Sequence, residues 1–513
     1  MGLGPGVPRR IRGVPLLVVG AFSAACAVGP RYKRPSAPAP PSYKEQAPAP
    51  STAGEWKPAE PGDHRARGPW WEVFGDPQLN ALEERVSVSN QTIAQAEAQF
   101  RGARAVARGA RADLLPTVGV TPSVTRSRFS SGRAGIPNAT ATIATSYELS
   151  GDASYEVDVW GRIRRNLESA VESAQATAAD LESVRLSMHA ELAADYFLLR
   201  GLDSQRQLLE SNVEAYEKAL QLTVNRHNQG VVSGVDVAQA ETQLETTRAQ
   251  LTELSIARAQ FEHAIAVLTG VPPAELAIAR APVAPAPPAV PPELPSALLE
   301  RRPDIAAAER RVASANAQIG VAVAGFFPRL LLTATGGWQS TSLTKFFSAP
   351  NLFWSLGAAL AETIFQGGKR IAAREQAVAA YDAAVAGYRQ SVLASFQDVE
   401  DNLATLRLLA EESDQQSRAV AAAERSLTLA RSRYEGGITT YLEVVTAQAI
   451  ALADERVAVD LQTRRLTSSI GLIRALGGGW SASELPPPGG ILWDRAPAPA
   501  QPAAPVAEES KPR

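Results

Sequence analysis

Apolar and polar positions along this chain follow two periods, and the two succeed one another in the same order twice. From about Gln78 to Asp113 the pattern is helical and alanine-rich, and Pro116 stops it because proline cannot donate to a helix ladder. Strict alternation follows, with Val118, Val120 and Val124 on one face and Gly119, Thr121, Ser123 and Thr125 on the other. A returning strand is expected from about Tyr147 to Trp160, where Leu149, Ala153, Tyr155, Val157 and Val159 alternate with Ser150, Asp152, Ser154, Glu156 and Asp158. Then comes a very long helix, about Arg165 to Gln229, and after Gly230 a shorter one, about Val235 to Thr269. The second round reads Leu330, Leu332, Ala334, Gly336 and Trp338 against Leu331, Thr333, Thr335, Gly337 and Gln339. Its returning strand runs from Leu352 to Phe365, and its helices from Arg370 to Glu435 and from Leu442 to Leu476.

Individual residues carry the same duplication. Ile93 to Glu97 recurs at Ile305 to Glu309, and Leu115-Pro116 recurs as Phe327-Pro328. Further on, Gly161-Arg162 matches Gly368-Lys369, Arg226 with Gly230 matches Arg433 with Gly437, and Gly270 matches Gly477. A short helix and the helical stretch before its proline together equal one long helix, so two short helices stacked end to end can line it. Heptad steps from Leu442 through Val445, Ala449, Leu452, Arg456, Val459, Thr463, Leu466 and Ile470 to Ile473 form one mostly apolar seam. A second, displaced by two residues, passes through Val444, Ala447, Ala451, Asp454, Ala458, Leu461, Arg465, Ser468, Leu472 and Ala475. Two seams on one helix suit a closed ring of helices, although an antiparallel coiled coil also uses alanine-rich seams.

Four strands that are apolar on one face and polar on the other match an outer-membrane barrel with a wet lumen. They also fit a soluble sandwich with one solvated face. No stretch after the N-terminus reaches the length of apolar sequence a spanning helix needs, so any membrane crossing must be made by closed strands.

The N-terminus decides the compartment. Arg9, Arg10 and Arg12 precede an apolar run from Val14 to Phe22, which ends in Ser23, Ala24, Ala25 and the chain's single cysteine, Cys26. That is the layout of a secretory signal, with small residues at the cut. Lysine plus arginine (51) nearly balances aspartate plus glutamate (53), so no net field recruits nucleic acid. One cysteine excludes a disulfide framework, and His64, His189, His227 and His263 have no ligand spacing. With no phosphate loop and no nucleophile elbow either, the chain is not expected to be an enzyme.

Several motifs in order carry a resemblance. Cys26-Ala27-Val28-Gly29-Pro30 is followed by Tyr32 and Pro35; Trp70-Trp71 precedes Phe74-Gly75-Asp76-Pro77-Gln78-Leu79. Glu156 to Arg162 reads EVDVWGR, and Arg302-Pro303-Asp304-Ile305 opens the second round. From Cys26 to Gly477 the chain resembles the TolC-like outer-membrane efflux family, in its lipoprotein, NodT or OprM-like branch. The resemblance implies an α+β membrane protein, a homotrimer in which four strands per chain close one twelve-stranded barrel over a periplasmic helical tunnel. It implies diacylation at Cys26, although Ser23 stands where the family places leucine, and no other cofactor. It implies a periplasmic adaptor and an inner-membrane transporter of the resistance-nodulation-division type as partners, with drugs and other small toxic compounds as cargo. Protein secretion, metal-ion efflux or a poreless periplasmic scaffold stay open as alternatives.

On this reading the chain divides into a signal peptide (1–25), a lipid-anchored segment (26–77), a first repeat (78–280), a proline-rich linker (281–295), a second repeat (296–480) and a disordered tail (481–513). The resemblance also puts the periplasmic gate at the helix-helix turns Arg226 to Val237 and Arg433 to Val444. Asp236 and Glu443 resemble its acidic ring, Leu442 its apolar constriction, and Tyr434, with Arg226 and Arg433, the links between neighbouring coils. Thr446 stands where relatives often place an aspartate.

Overall fold

The computed structural model describes residues 27–38, 40, 42–45, 69–129, 142–283 and 298–493. Cys26, the signal segment and most of the proline-rich linker lie outside the described residues.

Asp76 opens the first helix, α1 (Pro77–Ser89), by accepting from the backbone N–H groups of Gln78 and Leu79 while Pro77 takes the first turn. The single helix expected from Gln78 to Asp113 is two, because Asn90 has extended backbone and separates α1 from α2 (Gln91–Ala112). Its side chain accepts from Ile93 N–H and donates to the Leu268 carbonyl, satisfying groups that a continuous helix would leave to itself.

After α2 come β1 (Thr117–Phe129) and β2 (Thr142–Val157). The second ends three residues before the expected Trp160 because Asp158 turns to cap α3 (Arg162–Asn228), accepting from Ile163 and Arg164 N–H at 3.1 and 2.9 Å. Helix α4 (Gly234–Leu268) closes the first half. The second half repeats the order with α5 (Pro303–Ala324), β3 (Arg329–Ser340), β4 (Leu352–Ala361), α6 (Lys369–Glu435) and α7 (Tyr441–Ala475). Here too the returning strand stops early, at Ala361 rather than Phe365; Gly367 and Gly368, both at positive φ, turn the chain into α6.

Corresponding helices match in length: α3 and α6 have 67 residues each, α4 and α7 have 35, and α2 and α5 have 22. At 1.5 Å per residue the long pair reaches about 100 Å. Along α3, α2 packs at the strand end and α4 at the far end; α5 and α7 divide α6 in the same way and also pack on α3. The helices therefore form a sector of wall in the order α2/α4, α3, α5/α7, α6.

Where the stacked pairs meet, the largest core gathers Trp70, Leu79, Val86, Leu192, Tyr196, Phe197 and Ile265. Glu83 is fully buried beside it, bonded at 2.6 Å to His189 Nδ1, and the imidazole stacks on Trp71 at 4.4 Å. Burial pushes the Glu83 carboxyl up to about 9 and the His189 imidazole down to about 4. Between those values the pair holds one proton and no net charge.

The tail expected to be disordered beyond Leu485 is packed as far as Trp493. Ile491, on the short helix α8 (Pro488–Trp493), is fully buried against Ala107, Val171 and Ala174, and the Arg111 guanidinium lies over the Trp493 ring. One isoleucine and one tryptophan anchor a stretch whose proline content alone argues for a loose chain.

Candidate channel wall and gate

The four strands form one antiparallel sheet in the order β1, β2, β3, β4. Directly opposed residues share a face, so the register sorts the side chains. Val120 leads through Gly151 and Gly336 to Trp354, and Val118 likewise through Ala153 and Ala334 to Leu356. Tyr155, Leu332 and Ala358 form another such row, as do Val157, Leu330 and Leu360. The opposite face carries Thr121, Ser150 and Gly337, then Gly119, Asp152, Thr335 and Ser355, with Thr335 Oγ1 donating to Asp152 at 3.0 Å. The alternation read in the sequence for β1, β2 and β3 thus has the expected phase.

Among the described residues nothing covers the apolar face. Val118, Val120, Val124, Trp354, Leu356 and Leu360 are all exposed, Leu356 by 72%. A sandwich would lay a second sheet there, and the two outer strands, β1 and β4, each have one unpaired edge within the chain. Among the described residues no helix is long and apolar enough to cross a membrane.

The sheet's helix-proximal end is stitched by side chains. Trp160 stacks on Phe327 at 4.7 Å and donates through Nε1 to the Pro328 carbonyl. Val28 N–H donates to the Trp160 carbonyl, so the first described residues, two positions after Cys26, lie at this junction. From there the segment descends along α5 and α6: Tyr32 donates to Glu309, Asn316 donates to the Pro30 carbonyl, and Tyr43 is buried among Tyr388, Val392 and Phe396.

At the far end both helix-helix turns close alike. Gly230 sits at φ 74° and Gly437 at φ 71°, and the following N–H, of Val231 or Ile438, bonds back to the carbonyl of Arg226 or Arg433 at 2.9 Å. This is the glycine-terminated helix end in which two last carbonyls are satisfied.

The turn residues singled out in the sequence are brought together in part. Arg226 donates to the Tyr434 carbonyl at 3.2 Å, and its guanidinium lies 4.7 Å from the centre of the Tyr434 ring. That ring is buried against Tyr441, Val444 and Ala240. Tyr434 Oη is buried without a hydrogen-bond partner, so the residue ties the two turns through its carbonyl and its ring, not its hydroxyl. Arg433 pairs with Glu443 at 3.6 Å, both half exposed, which contributes at most about 1 kcal/mol. Asp236 caps its own helix, accepting from Ser233 N–H at 3.1 Å. Leu442 is exposed, and Thr446 donates to the Leu442 carbonyl one turn back.

Sequence reasoning passed over Tyr441 and Gln448. Gln448 is buried with neither amide atom bonded, behind a cleft of about 350 Å³ shared by Ser211, Lys218, Arg431 and Tyr434. The displaced seam one turn after Val444 was the available signal, since Gln448 interrupts its apolar surroundings. No cluster of histidine, cysteine, aspartate and glutamate among the described residues could hold a metal ion.

Three comparisons bear on this arrangement. A family model described as outer membrane efflux protein matches residues 83–271 and again 294–478. The pyoverdine export outer membrane protein OpmQ of Pseudomonas aeruginosa is 34% identical over 417 residues, 80% of this chain and 88% of the relative. The toluene efflux pump outer membrane protein TtgF of Pseudomonas putida is 32% identical over 462 residues, 89% of this chain and 95% of the relative. Among solved structures, the outer-membrane channel OprN superposes with a TM-score of 0.81 at 30% identity, covering 89% of this chain and all of that one.

Proposed function

Since the chain belongs to the outer membrane efflux protein family, we propose that it is the exit duct of a tripartite pump, built from three copies. The observation that carries this reading is the sheet: one apolar face left open, one polar face, and two unpaired edges. In hydrocarbon every backbone donor and acceptor needs a partner, so a four-stranded sheet can enter a bilayer only if its edges close. Three copies give twelve strands, and the helix sectors beneath them close a periplasmic tunnel continuous with the barrel. The polar face, with Thr121, Asp152 and Thr335, lines the lumen.

The partners of this reading are a periplasmic adaptor and an inner-membrane transporter of the resistance-nodulation-division type, which supplies the energy. The wall itself is not selective for one cargo, and relatives named for pyoverdine export and for toluene efflux share it. Small toxic compounds are therefore the cargo class, chosen by the transporter. Cys26 carries the lipid anchor: the residues that follow it are tied to the base of the sheet, where an acylated cysteine meets the inner leaflet of the outer membrane, and two or more acyl chains give stable attachment.

The tip is the gate. Arg226 holds the second turn to the first through the Tyr434 carbonyl and ring, Arg433 with Glu443 stiffens that second turn, and Asp236, Glu443 and Leu442 from three copies face the aperture. Recording the purified full chain in planar lipid bilayers tests both claims. Discrete conductance steps are expected, rising in size in Arg226→Ser. A chain that inserts and gives no steps would overturn the duct, and unchanged steps in Arg226→Ser would move the gate elsewhere.

A further inference from the structure

The outward face of the sheet is not apolar from end to end. The strands meet the helices at Thr117, Val157, Arg329 and Ala361, so their opposite ends are distal to the periplasm. On β1 the outward residues run Val118, Val120, Pro122 and Val124, then Arg126 and Arg128. The register fixes this: Arg126 opposes Thr145 and Arg128 opposes Ile143, on the face that carries Tyr147 and Leu149. Both arginines are exposed, and neither has an ion-pair partner among the described residues. At about 3.4 Å per residue they stand roughly 7 and 14 Å beyond Val124.

The end of the apolar belt is marked independently. Trp338 lies on the same face near the distal end of β3, and Phe347, from the loop joining β3 to β4, packs edge-on against it with centroids 5.5 Å apart. Phe346 adds a second ring at 5.0 Å from Phe347. Aromatic rings gather where acyl chains give way to headgroups. The arginines of β1 therefore fall at headgroup depth, not in hydrocarbon. The loop adds Lys345, and no acidic residue lies on the outward face or loop at this end among the described residues. At the helix-proximal end the same face finishes in Val118, Val157, Leu330 and Leu360, with no cation at all.

An outer membrane is asymmetric in the same sense: its outer leaflet presents lipopolysaccharide, whose lipid A carries phosphates at the top of the acyl layer. The geometry points to Arg126 and Arg128 as a binding site for lipid A phosphate, with the aromatic rows of β3 and its loop seating the acyl chains. The inference rests on the barrel reading, because only there does this face meet lipid. Guanidinium groups suit the task, since their planar donors take a phosphate two oxygens at a time. Each of three copies contributes one such site to the outer rim, and the sites hold the barrel at a fixed depth.

The test uses the detergent-solubilised full chain and hexa-acylated, bisphosphorylated lipid A, with bound lipid counted by native mass spectrometry. Arg126→Gln with Arg128→Gln is expected to weaken binding roughly thirty-fold, about as two cationic contacts at a headgroup surface contribute. Arg126→Lys with Arg128→Lys should restore most of it. Lipid A stripped of its phosphates should bind wild type and the glutamine variant alike. Inorganic phosphate at millimolar concentration should not displace the glycolipid. Equal affinity of wild type and glutamine variant for bisphosphorylated lipid A, while both still carry lipid, would overturn the site and leave the barrel standing. Absence of bound lipid of any kind from wild type would overturn the barrel reading beneath it.

Discussion

Helices α3 and α6 have the same length and the same place in their halves, yet they are buried very differently. Twenty-three residues of α3 are buried, including Leu192, Tyr196, Phe197 and Leu199. Only eight of α6 are, although Ile371, Leu393, Leu408 and Leu429 on its surface are just as apolar. The wall order explains the difference: α3 has helices on both flanks within the chain, whereas α6 has α5 and α7 on one flank and, among the described residues, no helix on the other. Position Gly201 makes the point at one residue. A Cβ there would collide with the Thr463 side chain of α7, so the crossing needs glycine; the matching position on α6 is Leu408, half exposed. The sheet repeats the lesson, with β2 and β3 flanked on both sides and β1 and β4 on one. On the three-copy reading proposed above, another copy finishes that flank.

The largest expected effect comes from breaking the sheet's two-sidedness. Leu332→Arg puts a charge on the lipid face and should cost roughly 2 to 4 kcal/mol if it lies near the bilayer midplane, so that outer-membrane insertion falls sharply. Thr335→Arg, three residues on and on the opposite face, should insert normally and shift ion selectivity in bilayer recordings toward anions. Equal loss of insertion in both would show that the faces are wrongly assigned.

A smaller effect separates the helices. Gly201→Leu should destabilise the chain by about 1 to 3 kcal/mol through overpacking against α7, read as a lower thermal midpoint by circular dichroism. Leu408→Lys should leave helix content unchanged and instead loosen the assembly, seen as dissociation in mild detergent. If Leu408→Lys unfolds the helices as Gly201→Leu does, the two flanks are equivalent and the comparison fails.

A pH-dependent effect sharpens the view of α3 as the interior helix. In the folded chain the Glu83–His189 pair keeps one proton from about pH 4 to about 9. Unfolded, it holds two protons below the ordinary glutamate value, one between that and the ordinary histidine value near 6.5, and none above. Stability should therefore rise slightly between about pH 4 and 4.5, stay level to about 6.5, and fall from there toward 9. Thermal midpoints across that range would check it, and Glu83→Leu with His189→Phe should flatten both slopes. No counterpart is expected on α6, where Phe396 stands at the position matching His189.

Much of this architecture was legible in the sequence because periodicity is local. The phase of β1, β2 and β3, both glycine-ended turns and the length of the long helices follow from residues within one element. What escaped depended on distant partners. Asn90 breaks a helix whose alanine pattern runs straight through it, because the Leu268 carbonyl needs its amide. Residues 488–493 form a helix because Ile491 finds a hole between α2 and α3, which proline content cannot reveal. At the tip the turn charges were visible, but their partners were not: Tyr434 acts through its carbonyl and ring, and Asp236 caps its own helix.

The claim beneath all of these is that one chain is a third of a closed tube. The native mass of the detergent-solubilised full chain tests it most directly, measured for wild type beside Leu408→Lys. The account predicts three chain masses for wild type and a shift toward one for the variant. A wild-type particle of one or two chain masses that still conducts in a bilayer would contradict it.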